Sequence, residues 1–202
     1  MSNENNRNKW NLHYERDKAK QHIPDENIVR FFQHYLRKNP DLINPCILEM
    51  GSGSGRNLTY LQLYSNQVYG MDFARKSLES QQGVVCAVSH EAPFGDHLFD
   101  IVIAWGLLHY LSDKSLDRTI DEVRRLLKPD GIFFGTLRSS KDTHLAQVLK
   151  SGDLMDGEAT FYDKSEVNRI LKDFKKVKLG FILRQSPGDE GIIAHHIFEA
   201  TI

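Results

Sequence analysis

The chain has 202 residues, with 26 lysines and arginines against 27 aspartates and glutamates and a formal net charge of −1. This near-balance supplies no field for nucleic acid or an anionic membrane, and no run of about 18 apolar residues is present to span a bilayer. The length suits one domain, residues 1–202, with a core large enough to stand without disulfides or metal.

Residues 1–8 are polar and rich in Asn, which predicts disorder, and they lack the apolar centre of a secretory signal, which points to the cytoplasm. From Lys9 to about Gln21 the chain stays polar but carries Trp10, Leu12 and Tyr14, a pattern expected of a helix lying over another surface. Pro24 and Asp25 signal the next helix, whose apolar stripe Ile28, Phe32, Tyr35 and Leu36 runs as far as Pro40. Residues 9–40 are therefore expected to form an N-terminal helical lid.

The first strand is predicted from Cys46 to Met50. It ends in Glu49-Met50-Gly51-Ser52-Gly53-Ser54-Gly55-Arg56-Asn57, a carboxylate followed by three glycines at alternate positions. A helical pattern then begins with Leu58, Leu61 and Tyr64. Glycines suit such a turn because positive φ and the close approach of a ligand both exclude a β-carbon, and the helix start offers N–H groups to an anion. A dinucleotide fingerprint would need a sixth-position glycine, where Arg56 stands, and no Gly-Lys-Ser/Thr is present for a phosphate-cradling loop.

Gln67 to Asp72 reads as a second strand, Ala74 to Gln82 as a helix stopped by Gly83, and Val84 to Val88 as a third strand. Phe99 to Trp105 is a nearly continuous apolar run, as in a strand covered on both faces. Leu116, Ile120, Val123 and Leu127 define a helix that Lys128-Pro129-Asp130-Gly131 terminates, and Ile132 to Leu137 is a fifth strand. Residues 138–163 form a polar insertion with a short helix near His144 to Lys150. A helix from Asp163 to Phe174 precedes two strands, Lys176 to Arg184 and Gly191 to Ala200, joined by Ser186-Pro187-Gly188-Asp189.

Alternating strands and helices imply parallel pairing through right-handed crossovers, and the short final connection forces an antiparallel pair. The expected fold is a doubly wound α/β sheet of seven strands, mostly parallel, with helices on both faces. Cys46 and Cys86 are read as small buried hydrophobes, with no disulfide and no metal site. Lys172, Lys175, Lys176 and Lys178 are read as a solvated edge.

In such sheets a ligand binds beyond the carboxyl ends of the strands, where strand order reverses. Glu49, the glycines, Asp72 and Trp105 all fall on that edge. A carboxylate at Asp72 can accept both hydroxyls of a ribose, or can cap the segment after it.

The pattern E-x-G-x-G-x-G resembles the first motif of the class I S-adenosylmethionine-dependent methyltransferases. The segment from His90 through Asp100 and Trp105 to Leu111 is similar to that spanning their third and fourth strands, and Leu126-Leu127-Lys128-Pro129-Asp130-Gly131 to the turn before their fifth. The resemblance covers roughly residues 46–137. Gly55-Arg56-Asn57 with Tyr60-Leu61 is also similar to the tellurite-resistance and thiopurine-type branches, which act on small molecules.

The resemblance implies a seven-stranded sheet with its last strand antiparallel, S-adenosylmethionine as cofactor, and methyl transfer to a small-molecule acceptor by in-line displacement. Glu49 would hold the cofactor's ammonium group, or else order the loop. Gly51, Gly53, Gly55 and Asn57 would form the turn around it, and Arg56 would meet its carboxylate or make a surface ion pair. Tyr14 would close over it. Two departures stand out: Ser52 replaces a common Cys, and Val88 replaces the acidic residue that commonly meets adenine, leaving that role to Val88, Ser89 and apolar walls. On the acceptor side Trp105 would line the pocket, and His109, Tyr110 and Arg138 are catalytic candidates, with Arg138 suited to an anionic substrate. His195 and His196 alternate on the last strand, one facing in and one out. Rival readings are a non-catalytic S-adenosylmethionine-binding regulator and a nucleotide-dependent oxidoreductase, the latter disfavoured by Arg56. The sequence leaves the acceptor and the oligomeric state open.

Overall fold

In a computed structural model, residues 3–16, 22–79, 81–151 and 158–202 are described. Seven strands form one sheet: β1 (Ile47–Met50), β2 (Val68–Asp72), β3 (Val84–Cys86), β4 (Phe99–Ala104), β5 (Leu127–Arg138), β6 (Lys176–Arg184) and β7 (Ile193–Thr201). Their order across the sheet is β3-β2-β1-β4-β5-β7-β6. The first five strands pair in parallel, and β7 lies antiparallel between β5 and β6. The doubly wound sheet and its antiparallel final strand match the expectation.

The helices are α1 (Asn3–Tyr14), α2 (Glu26–Lys38), α3 (Arg56–Leu61), α4 (Asp113–Leu126), α5 (His144–Ser151) and α6 (Lys164–Ile170), with single 3-10 turns at Arg75–Leu78 and Leu108–Tyr110. The central strands β1 and β4 bury nearly every side chain, because helices cover both faces of a parallel sheet. On one face α2 and α3 contribute Ile28, Phe31, Phe32, Leu58 and Leu61, and Phe31 stacks on Phe134 with ring centroids 3.8 Å apart. On the other, Leu116, Ile120 and Val123 of α4 meet Leu48, Val102 and Phe133. Burial of large aliphatic and aromatic side chains contributes roughly 1.5–3 kcal/mol each, so these two layers hold the strand ends in place.

Several local expectations give way. The first helix begins at Asn3, inside the stretch expected to be disordered. Residues 1–2 and 17–21 of the expected tail and lid lie outside the described residues. The helix expected from Ala74 to Gln82 is one 3-10 turn. There Asp72 accepts the Ala74 amide at 2.8 Å and the Ser77 hydroxyl donates to the Ala74 carbonyl at 2.7 Å. Side chains thus take backbone partners that a longer helix would use; Ser80 is outside the described residues.

β3 is short and Cys86 is exposed rather than buried, since it lies at the sheet's edge. β5 starts at Leu127 and runs through Lys128-Pro129-Asp130-Gly131. It does so by an irregular register against β4 between Phe99 and Ile101 and by positive φ at Asp130. α6 is also shorter than expected, although Asp163 and Glu166 close a capping box at its start. Of the expected insertion 138–163, residues 152–157 lie outside the described residues.

Candidate functional site

The site grows from the carboxyl ends of β1 and β2. β1 pairs with β2 on one side and β4 on the other, and the order reverses there, which opens a crevice beyond the strand ends. Gly51, Gly53 and Gly55 all take positive φ, and the turn is pinned because the Gly51 and Ser52 amides donate to the Met71 carbonyl at 2.7 and 3.0 Å. A β-carbon at Gly53 would lie 2.6 Å from the Tyr14 hydroxyl, so glycine there is needed for space as well as for backbone angle.

A cavity of about 230 Å³ opens over this turn. Of the predicted site residues, Tyr14, Gly51, Asp72, Val88, Ser89 and Tyr110 line it. Glu49, Gly53, Gly55, Arg56, Asn57, Trp105, His109 and Arg138 are not among its lining. Trp105 instead stacks on Phe134 at 5.5 Å, on the face covered by α2. It is the first residue beyond β4, and the chain turns at Gly106, so the residues that reach the cavity here are Gly106 and Leu107.

Asp72 is buried, and its two oxygens accept the Gly53 and Ala74 amides at 3.0 and 2.8 Å. Burial raises its pKa, while those amides pull it back down. A carboxylate has about four lone-pair sites, so each oxygen retains acceptor capacity toward the cavity. Asp72 closes a local turn on the Ala74 amide and does not cap the 3-10 turn, whose N-cap is Ala74 without a side-chain bond.

Glu49 is 1% exposed. One oxygen accepts from the Asn57 side-chain amide at 2.7 Å, while the other is buried without a partner. Burial pushes its pKa up to about 8 against the opposing pull of Asn57 and Arg56. An orphaned buried carboxyl oxygen is the feature an incoming cation satisfies. Asn57 also accepts the Asp25 amide at 2.9 Å, while Arg56 pairs with the Asp25 carboxylate at 3.5 Å, so the surface-ion-pair alternative for Arg56 is the one seen. Asp25 itself caps α2, a link that hydrophobic periodicity does not reveal.

α1 roofs the cavity. Trp10 sets its ring edge-on to Tyr110 at 5.0 Å, Tyr14 presses on the glycine turn, and Asn11 accepts the Lys76 amide at 3.2 Å. Burial first, then the neighbouring Asp72 charge, raises the Tyr14 pKa, so Tyr14 remains a neutral phenol. Phe73, next to Asp72, and His90 also line the cavity; neither was singled out in the sequence, although adjacency to Asp72 was a usable signal for Phe73.

At the β3 side the Thr119 hydroxyl donates to the Ser115 carbonyl at 2.7 Å, and Ser89 Oγ lies 2.8 Å from Thr119 Oγ1. Thr119 has one proton to give, so Ser89 is the donor of that pair. Its oxygen keeps lone pairs and no proton for the cavity.

Behind Tyr110, Arg138 donates to Asp142 at 2.6 Å. His109 is buried with Nδ1 unpartnered, and burial holds its pKa well below the usual imidazole range. Burial, then the Arg138 charge, lowers His195 to about 4. His196 faces inward, its ring nitrogen 3.1 Å from the Tyr162 carbonyl. Among the described residues, no group of His, Cys, Asp and Glu is arranged to hold a metal, and no helix is long and apolar enough to cross a membrane.

Residues 48–135 match the family described as "Methyltransferase domain". The chain is 30% identical over 100 residues to the human mitochondrial protein named arginine-hydroxylase NDUFAF5, covering 46% of this chain and 28% of that one. It is 32% identical over 93 residues to an uncharacterized methyltransferase of Synechocystis, covering 43% and 44%. The chain thus spans less than half of either relative. Among solved structures, a putative methyltransferase of Haloferax volcanii in complex with the Trm112 activator superposes with a TM-score of 0.67 at 15% identity, over 96% of both chains. The magnesium protoporphyrin IX methyltransferase of Synechocystis, solved with S-adenosylhomocysteine, gives 0.63 at 16% identity over 87% of this chain and 81% of that one. These likenesses in shape are to the same doubly wound fold.

Proposed function

We propose that this chain, whose residues 48–135 match the family described as "Methyltransferase domain", passes the methyl group of S-adenosylmethionine to a small-molecule acceptor. The observation that carries the reading is convergence: Asp72, the glycine turn and the roofing residues Tyr14 and Trp10 meet at one cavity of about 230 Å³. Bound S-adenosylmethionine supplies an electrophilic methyl group on a sulfonium.

The chain's own residues have separate tasks. Asp72 accepts the ribose hydroxyls. Glu49, with its unpartnered oxygen, answers the ammonium group. Ser89, whose proton is committed to Thr119, presents an acceptor to the adenine amino group in place of the missing acid at position 88. α1 keeps water out, and a closed, positioned pair of reactants accounts for much of the acceleration such a displacement needs.

Asp72→Ala should weaken S-adenosylhomocysteine binding by roughly 1.5–3 kcal/mol, the scale for a charge-assisted hydrogen-bonding group. Calorimetry on Asp72→Ala and the milder Asp72→Asn, with melting curves to confirm folding, checks this. Affinity within error of the parent in both folded variants would remove the ribose assignment. A second reading, a protein side chain as substrate, draws on the relative named arginine-hydroxylase. Radiolabelled methyl from S-adenosylmethionine appearing in the low-molecular-weight filtrate of an extract supports the small-molecule reading, and label in precipitated protein supports the second.

A further inference from the structure

On the α2 side the sheet extends further than its helical cover. Directly opposed residues of an antiparallel pair share a face. The pairings Ile132↔Thr201 and Phe134↔Glu199, and then Lys176↔Thr201 and Lys178↔Glu199, therefore put these side chains on the side where α2 packs. There α2 covers β5, through Phe31 stacked on Phe134. Beyond it, on β7, burial alternates: Phe198 and Ala200 are buried on the opposite face, whereas Glu199 and Thr201 on this one are only half-buried. The step from the covered strand to the uncovered pair leaves a recess beside the last turn of α2.

That recess is a cavity of about 280 Å³, and it shares no lining residue with the cavity over the glycine turn. It lies at the amino-terminal ends of β5 and β6, across the sheet from the strand ends that carry Asp72. Tyr35 and Ile132 give it an apolar wall, and its charged lining is Lys38, Lys176 and Lys178 against Asp130 and Glu199. Lys178 is taken by Glu199 at 2.6 Å, and Asp130 faces Lys175 at 4.0 Å. Each acid has a lysine of its own, so Lys38 and Lys176 are surplus; among the described residues neither has a carboxylate partner. Two of the four lysines expected on a solvated edge thus frame a concave, positively charged recess.

We propose that this recess is a second ligand site, which takes a small phosphate monoester: Lys38 and Lys176 hold the phosphate, and Tyr35 and Ile132 support the body that carries it. An ammonium is a compact point charge, while a guanidinium fork is the group that matches a planar carboxylate. Among the described lining residues there are lysines and no arginine, which selects a compact, multiply charged anion. The carboxyl end of α2 would repel such an anion. Its carbonyls at Tyr35 and Leu36, however, are occupied by the Asn39 amide, and the Asn39 side chain donates to Tyr35 as well, at 2.8 Å. The site stands whether or not the chain transfers a methyl group.

Phenyl phosphate is titrated into the full chain at a pH where it is a dianion, with ionic strength held by chloride, and backbone amides are followed by heteronuclear NMR. The amides of Lys176, Lys178 and Thr201 should shift saturably while those of the glycine turn stay in place, and benzoate should bind at least about tenfold more weakly. Lys38→Gln combined with Lys176→Gln changes two exposed side chains and leaves the core intact. It should weaken phenyl phosphate at least about tenfold, whereas Lys172→Gln, the same change outside the recess, should leave it within about twofold. S-adenosylhomocysteine at saturating concentration should leave the titration unchanged. Shifts that stay linear in concentration, benzoate binding as tightly as phenyl phosphate, or an equal loss in Lys172→Gln overturns the proposal. So does competition by S-adenosylhomocysteine, which would place the anion over the glycine turn instead.

Discussion

Glu49 is a carboxyl group that folding places at a disadvantage. It moves from an ordinary value of 4.5 to about 8 because it is fully buried, so the native state holds a proton that the unfolded chain has released across that window. The sign follows directly: the unfolded state binds fewer protons, so stability falls as pH rises from about 4.5 to 8 and is level above that. Glu49→Gln keeps an oxygen for Asn57 and removes the titration. Its unfolding free energy should match or exceed the parent's at pH 8, by an amount on the order of a few kcal/mol at most, and the gap should shrink toward pH 5. Calorimetric melts at both values check this. The same variant should bind S-adenosylhomocysteine more weakly, since the unpartnered oxygen is the one that would meet a cation.

At the scale of elements, α1 contrasts with the rest. It has twelve residues with polar character on every side, and an isolated helix of that length and composition is marginal in water. Its order derives from three docking points: Trp10 on Tyr110, Asn11 on the Lys76 amide and Tyr14 on the glycine turn. Its amides should therefore exchange with deuterium faster than those of α2 and α4, and slow markedly when S-adenosylhomocysteine is added. Trp10→Ala should abolish that slowing while leaving α4 untouched. Equal protection of α1 with and without the ligand would show that it is not a closing element.

What could be read from residues alone divides along the same line. The buried strands and α4 follow from hydrophobic runs and period, and the glycine turn with Asp72 from spacing. Three features were hidden because they depend on side chains meeting across the fold. Asp72 and Ser77 cut short the helix expected after β2. Trp105, one residue past β4, belongs to the α2 face. Arg138, read as an anion ligand, is matched by Asp142 four residues on, a pairing that periodicity does not signal.

Taken as a whole, the molecule carries two opposed pH dependences in different places. His195 falls from 6.5 to about 4, so between those values the unfolded chain binds more protons and stability declines as pH falls through the window. The Glu49 slope runs the other way from about 4.5 to 8. The two oppose each other between about 4.5 and 6.5, above which Glu49 acts without that opposition. Denaturant melts should show His195→Gln reducing the acid-side decline and leaving the alkaline side as it was, and Glu49→Gln removing the decline above about pH 6.5 while steepening the loss between about 4.5 and 6.5.

The amide of Asp25 and the carboxyl of Glu49 share one mediator, the side chain of Asn57. That relay runs from the start of α2 on the outer surface to the floor beneath the glycine turn. Any molecule that tugs on the first turn of α2 would thereby gain leverage over the set of the Glu49 carboxyl, without ever entering the cavity.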